Sequence, residues 1–129
     1  AYLARGESAS EGTPYSLPTS NVLLVSPAPE FEQLSQNFVA SLFSHKFTVS
    51  ELANRMGAQL EQRMANKLDA IITSPVIPGT VQLTPEGRLI ILLADCQTTG
   101  GYPRVLQLGF EALSVMAQLG PGAELQFCR

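Results

Sequence analysis

Ile90-Ile91-Leu92-Leu93-Ala94-Asp95-Cys96-Gln97-Thr98-Thr99-Gly100-Gly101-Tyr102-Pro103-Arg104 begins as an apolar run and breaks into a compact polar loop. The run is rich in Ile and Leu, too short for a membrane helix, and suits a strand buried on both faces. A carboxylate, an amide and two hydroxyls follow at once, before Tyr102 and Pro103 stiffen the chain again. Gly100 and Gly101 can take φ > 0 and let other groups approach the backbone closely. A polar loop carried by a rigid strand is a common place for binding or chemistry.

Upstream of this stretch, Thr84-Pro85-Glu86-Gly87 has Pro second and Gly fourth, the chemistry of a type I turn. It joins Val81–Leu83 to Leu89–Leu93 as an antiparallel hairpin. Downstream, Val105–Leu108 is another strand. Leu113, Met116 and Ala117 give a short helix ended by Gly120-Pro121-Gly122, and Leu125-Gln126-Phe127 alternates as a last strand.

In the first half, Val22–Val25 is a short apolar strand closed by Ser26-Pro27-Ala28-Pro29. Phe31, Leu34, Phe38 and Leu42 then recur at intervals of three, four and four, which predicts a helix at about 30–44. Glu30 and Glu32 suit its positive end, and His45 can interact with its last carbonyls in a structural role. Phe47-Thr48-Val49 and Ile71-Ile72 have strand composition. Leu60, Met64 and Leu68, with no Gly or Pro between them, fit an amphipathic helix. Residues 6–21 are rich in Ser, Pro, Gly and Thr and read as a mobile linker. Many short strands with two short helices point to a mainly β, mostly antiparallel barrel.

Composition narrows the function. The 129 residues make one domain by length, able to bury about 65–70% of the unfolded surface. The net charge is −3, with no basic patch interleaved with aromatics, so nucleic acid is not the expected partner. No apolar run approaches the roughly 20 residues of a membrane span, and no signal segment opens the chain. The first residue is Ala, so a processed or cut piece of a longer protein is expected. Cys96 and Cys128 lack metal-ligand spacing to each other or to His45, so no metal site is expected. Reduced thiols in a cytoplasmic protein follow.

The pattern Asp95-x-Gln97-Thr98-Thr99-Gly100-Gly101-Tyr102-Pro103 resembles the signature of one family. That family holds the C-type subunit of 5-oxoprolinase, the KipI antagonist and the carboxyltransferase part of urea carboxylase, the last also labelled the second subunit of allophanate hydrolase. Asn54-Arg55-Met56-Gly57-x-x-Leu60-Glu61 resembles a second family segment, a strand, and Ser74–Gln82 a third. The resemblance therefore makes 54–60 a strand against the helical pattern, and leaves 61–69 open with a helical turn possible there. It implies a cyclophilin-like antiparallel β-barrel over 22–129, corresponding to the C-terminal half of the family's chain. Ala1–Ala4 resembles a strand remnant of the family, so 1–21 becomes remnant plus linker, with the N-terminal lobe missing.

The polar residues admit two readings each. Asp95 can accept from a substrate N–H or act as a base, or it can cap its own loop. Thr98 and Thr99 are the other catalytic candidates. With Gln97 they offer uncharged donors and acceptors suited to an amide, lactam or urea, and the N–H groups of Gly100 and Gly101 can hold an oxyanion. A self-bonded turn is the plain alternative. Tyr102 can stack on a flat substrate or simply pack. Arg55 can pair with a carboxylate or phosphate, or form a structural ion pair. Asn54 and Gln82 can bond the loop or merely satisfy backbone.

Several departures matter. Cys96 stands where the family usually has a basic residue, and without a His or Lys beside it an inert thiol is expected. Ala58-Gln59 replaces Tyr-Arg, Gln62 replaces a Gly, and Ala123 stands where the family's tail has Asp. The resemblance implies ATP-dependent opening of 5-oxoproline to glutamate, with a KipI-like, B-type subunit and one further subunit, and ATP engaged at the level of the complex. A second branch is biotin-dependent carboxyl transfer to urea or a related amide; no Met-Lys-Met motif is present, so biotin would come from a separate carrier. A third is a non-catalytic, KipI-antagonist-like regulator. By itself this chain is expected to be inactive.

Overall fold

The computed structural model describes residues 20–69 and 71–129. Its strands are β1 (Ser20–Pro27), β2 (Phe47–Thr48), β3 (Gly57–Arg63), β4 (Ser74–Pro75), β5 (Thr80–Leu83), β6 (Arg88–Leu92), β7 (Thr99–Gly100), β8 (Arg104–Leu108) and β9 (Glu124–Cys128). Two helices, α1 (Gln36–Ser44) and α2 (Phe110–Met116), complete it. Seven strands form one sheet in the order β2-β9-β1-β8-β5-β6-β3, and β4 and β7 make a small separate pair. All pairings are antiparallel except β1 with β9. This is the mainly β, two-helix barrel that the sequence predicts.

The two edges of the sheet nearly close on each other. Val49 and Leu60 form an antiparallel bridge, and Ser50 N–H donates to Gln59 O at 2.9 Å. Gln62 finishes the seam: its Oε1 accepts from Thr48 N–H at 2.6 Å and its Nε2 donates to Thr48 Oγ1 at 3.0 Å. Joining β2 to β3 in this way shields the two edges of the large sheet from pairing with another chain.

Inside the barrel, Leu23, Leu60, Val81, Leu89, Ile91, Leu106 and Phe127 are fully or almost fully buried. Phe47 and Phe127 pack with ring centroids 5.5 Å apart, and α1 adds Phe38 and Leu42 to the same core. The β5–β6 hairpin holds Val81 opposite Ile91 and Leu83 opposite Leu89. Its turn is the expected one: Gly87 N–H donates to Thr84 O at 2.9 Å, and Gly87 sits at φ +90, where a Cβ would lie 2.5 Å from Met64 O.

Three local expectations are corrected, and the stretch left open at 61–69 is resolved. The helix at 30–44 divides into a single 3-10 turn at Phe31–Gln33 and α1, because Ser35 stops the first and caps the second, accepting from Phe38 N–H at 3.1 Å. The strand at 54–60 starts only at Gly57, since Asn54–Met56 turn back on themselves, and it runs on to Arg63. Residues 64–69 form no helical turn. Ile71-Ile72 is not a strand: Ile71 donates one bond to Gly101 O, and Ile72 is 89% exposed with no strand beside it. The Ala1–Ala4 remnant and the linker up to residue 19 lie outside the described residues, while Ser20 and Asn21 already belong to β1.

Candidate functional site

β3 and β6 run side by side, with Gly57 opposite Leu92, and each enters a tight turn at the same end of the sheet. On the β3 side, Asn54 Oδ1 accepts from the N–H groups of Met56 at 2.8 Å and Gly57 at 3.2 Å. On the β6 side, Cys96 N–H donates to Leu93 O at 3.0 Å. The turns are stitched together by Leu93 N–H to Met56 O and Asp95 N–H to Arg55 O, both 3.1 Å. Above them Arg55 Nε lies 3.0 Å from Asp95 Oδ2. Asp95 thus pairs with a cation and does not cap its own loop. Asn54 satisfies its own turn and makes no bond to the 95–103 loop.

Gln97, Thr98 and Thr99 project into solvent, and no described residue bonds either threonine hydroxyl. Val76 N–H donates to Thr98 O at 3.0 Å. In an antiparallel ladder bonded and non-bonded pairs alternate, so Ser74–Gly100 is the bonded pair and Thr99 N–H points away from β4. The Gly100 N–H therefore faces Ser74 across the ladder. Neither Gly100 nor Gly101 has a positive φ. Gly100 is glycine for another reason: a Cβ there would lie 2.5 Å from Gln82 Nε2 and 3.6 Å from Gln97 Nε2.

Gln82 lies on β5 between two core residues, Val81 and Leu83, so its side chain points to the outer face of the barrel. There the β4–β7 pair covers it. It is 2% exposed, and its Nε2 has no hydrogen-bond partner. Tyr102 is 39% exposed at the end of the loop. The fold thus gathers the candidates into two groups, Asn54–Arg55–Asp95 at the turns and Gln82 under the flap residue Gly100, with Gln97, Thr98, Thr99, Gly101 and Tyr102 along the connecting rim. A cavity of about 380 Å³ adjoins the first group, walled by Asn54, Arg55, Leu93 and Ala94 with Met116 beneath.

Two residues that organise the loop escape sequence reasoning. Arg104 Nε and Nη2 donate to Glu30 Oε1 and Oε2, each at 2.8 Å, and Nη1 donates to Pro75 O at 3.0 Å. Glu30 reads in sequence as a helix-end charge, and nothing local ties it to a residue 74 positions away. Its carboxyl is held below the usual range, first by the side-chain bond from Arg104, with burial acting against this. Burial raises the Cys96 thiol above its ordinary value, a backbone bond opposing, which agrees with an inert thiol. Both cations near the loop are matched by carboxylates, leaving a surface of uncharged donors and acceptors. Among the described residues no cluster of His, Cys, Asp and Glu could hold a metal ion, and no helix is long and apolar enough to cross a membrane.

Comparison with known proteins places this geometry. The chain is 30% identical over 113 residues to the C-type subunit of 5-oxoprolinase from Haemophilus influenzae, covering 86% of this chain and 37% of that protein. It is 28% identical over 103 residues to the same subunit of 5-oxoprolinase from Escherichia coli, covering 78% and 33%. The chain thus spans about a third of the length of these relatives. Among solved structures, the protein TTHA0988 superposes with a TM-score of 0.72 at 28% identity, over 97% of this chain and 24% of that one. The urea amidolyase of K. lactis superposes at 0.78 and 18% identity, over 87% and 8%, a likeness of fold. A family model described as the carboxyltransferase domain, subdomain A and B, matches residues 3–129, and the chain belongs to that family.

Proposed function

We propose that this chain is the C-terminal part of a C-type subunit of 5-oxoprolinase and serves the ATP-dependent opening of 5-oxoproline to glutamate. The observation that carries this reading is the uncharged loop itself. Gln97, Thr98 and Thr99 are presented on the loop that follows β6, with both neighbouring arginines already matched by carboxylates. Such a surface suits the lactam group of 5-oxoproline, which offers one N–H and one C=O, while the substrate's carboxylate is assigned to another part of the complex. Asp95 accepts from the lactam N–H or takes a proton from the attacking water. Thr98 and Thr99 hold the carbonyl as it gains negative charge.

The described residues around the loop do not fit a nucleotide polyphosphate. Arg55 is paired with Asp95, and Arg104 is consumed by Glu30 and Pro75. ATP is therefore assigned to another part of the complex, a KipI-like, B-type subunit or the remaining portion of the C-type one. The open rim of the loop agrees with a site completed by other chains, and with no activity from this chain alone. The biotin-dependent branch has weaker support, since the likeness to urea amidolyase is one of fold and the chain has no Met-Lys-Met for biotin attachment.

The test combines the chain with the rest of a C-type subunit and with its partner subunits, and follows glutamate from 5-oxoproline and ATP. Turnover lost in Asp95→Ala and Thr99→Ala, with partner binding retained, supports the enzymatic reading. Unchanged turnover in both variants would overturn it. Partner binding without any turnover in the complete wild-type assembly would favour the regulator.

A further inference from the structure

Among the described residues, Gln82 Nε2 is the only buried side-chain nitrogen or oxygen without a partner. Leaving such a group unpaired opposes folding, and a Met of similar length would avoid the loss. The group faces the signature loop, because a Cβ built on Gly100 would lie 2.5 Å from it. The cover above it is thin. β4 and β7 contribute two residues each, tied down by Val76 N–H to Thr98 O, Ile71 N–H to Gly101 O and Arg104 Nη1 to Pro75 O.

We infer that Gln82 is a ligand-binding residue: its Nε2 donates to the carbonyl oxygen of an uncharged amide or lactam group when the β4–β7 flap lifts. This rests on the function proposed above and adds to the Thr98 and Thr99 hydroxyls a further donor to the carbonyl, from beneath the flap. An amide nitrogen has two N–H groups and no acceptor lone pair, so the arriving atom must be an acceptor, as a carbonyl oxygen is. The donor is uncharged and the nearby arginines are matched, which selects a neutral carbonyl over a carboxylate or phosphate. Glycine at 100 lets the flap pack directly on the amide.

The test is a titration of the isotope-labelled chain with 2-pyrrolidinone, a neutral lactam, followed by NMR, with acetate as the charged control. The Gln82 side-chain NH₂ signals and the Gly100 backbone amide are expected to shift with the lactam and not with acetate. Gln82→Met is expected to weaken the lactam about tenfold, the loss of one hydrogen bond, while raising the thermal midpoint. A purely structural glutamine would not separate the two effects. Gln82 signals that stay put at saturating lactam would overturn the inference, and this wild-type titration needs no variant to fold. Normal turnover of Gln82→Met in the complete assembly would overturn the donor role and leave the reaction standing. A lactam shift at Gln82 with no turnover in that assembly would do the reverse.

Discussion

Arg104 grips Glu30 through two parallel bonds, Nε to Oε1 and Nη2 to Oε2, both 2.8 Å. The backbone joins in, with Arg104 N–H donating to Oε1 at 2.8 Å and Glu30 N–H donating to Arg104 O at 2.9 Å. Since Nη1 also holds Pro75 O, one side chain fastens the segment after β1, the start of β8 and the flap strand β4. The side chains are 17% and 10% exposed, so water cannot fully replace a lost partner.

Arg104→Ala is therefore expected to cost about 3–5 kcal/mol, the usual penalty for leaving half of a buried pair behind. Denaturant unfolding measures it. A loss under 1 kcal/mol would show that the pair is worth no more than a surface contact.

Acid should act through the same pair. The Glu30 carboxyl is depressed below its ordinary 4.5, chiefly by the Arg104 side-chain bond. A depressed folded-state value means the contribution is whole above the unfolded value and fades as pH falls through the folded one. The thermal midpoint of the wild type is expected to drop as the pH goes below about 4.5, and Glu30→Gln to lose that share of the drop. Identical acid profiles for the two would contradict the assignment.

The two adjacent glycines should behave differently. A Cβ on Gly100 would sit 2.5 Å from Gln82 Nε2, whereas one on Gly101 meets only Ile71 O at 3.7 Å. Gly100→Ala is expected to destabilise by about 1–3 kcal/mol through overpacking, and Gly101→Ala by less than about 0.5 kcal/mol. Equal effects in a pair of melting curves would place the flap elsewhere.

Cys96 should be slow to alkylate at neutral pH, because burial raises its thiol above the ordinary value and so lowers the thiolate fraction. Iodoacetamide labelling, read by mass spectrometry, is expected to run below the rate of a free model thiol at about pH 7.5. Labelling faster than that thiol would make Cys96 a reactive group.

How much of this was visible in the sequence depended on range. The β5–β6 hairpin was, because Thr84-Pro85-Glu86-Gly87 specifies its own turn and the flanking apolar residues specify its register. The break at Ser35 was written locally as well, since Ser35 stands three residues before Phe38 as a cap does, but the apolar spacing across it masked the signal. Residues 61–69 carried a helical pattern that the barrel overrode: Leu60 is needed for the bridge to Val49, and Gln62 for the seam to Thr48. The loop's polar residues could be named in advance, but not their partners. Whether Asp95 meets Arg55, or Gly100 meets Gln82, depends on turns and strands brought together only by the closed sheet.

The central claim is that the 95–103 loop handles a lactam and is not there to hold the fold. The most direct test compares wild type and Asp95→Asn in the complete assembly, measuring glutamate release from 5-oxoproline and ATP. The Arg55–Asp95 pair is solvent-exposed, with side chains 89% and 50% accessible, so its loss should cost about 1 kcal/mol or less. A loss of turnover of about a hundredfold or more is expected, with the melting temperature nearly unchanged. Turnover within about twofold of wild type, at the same stability, would contradict it.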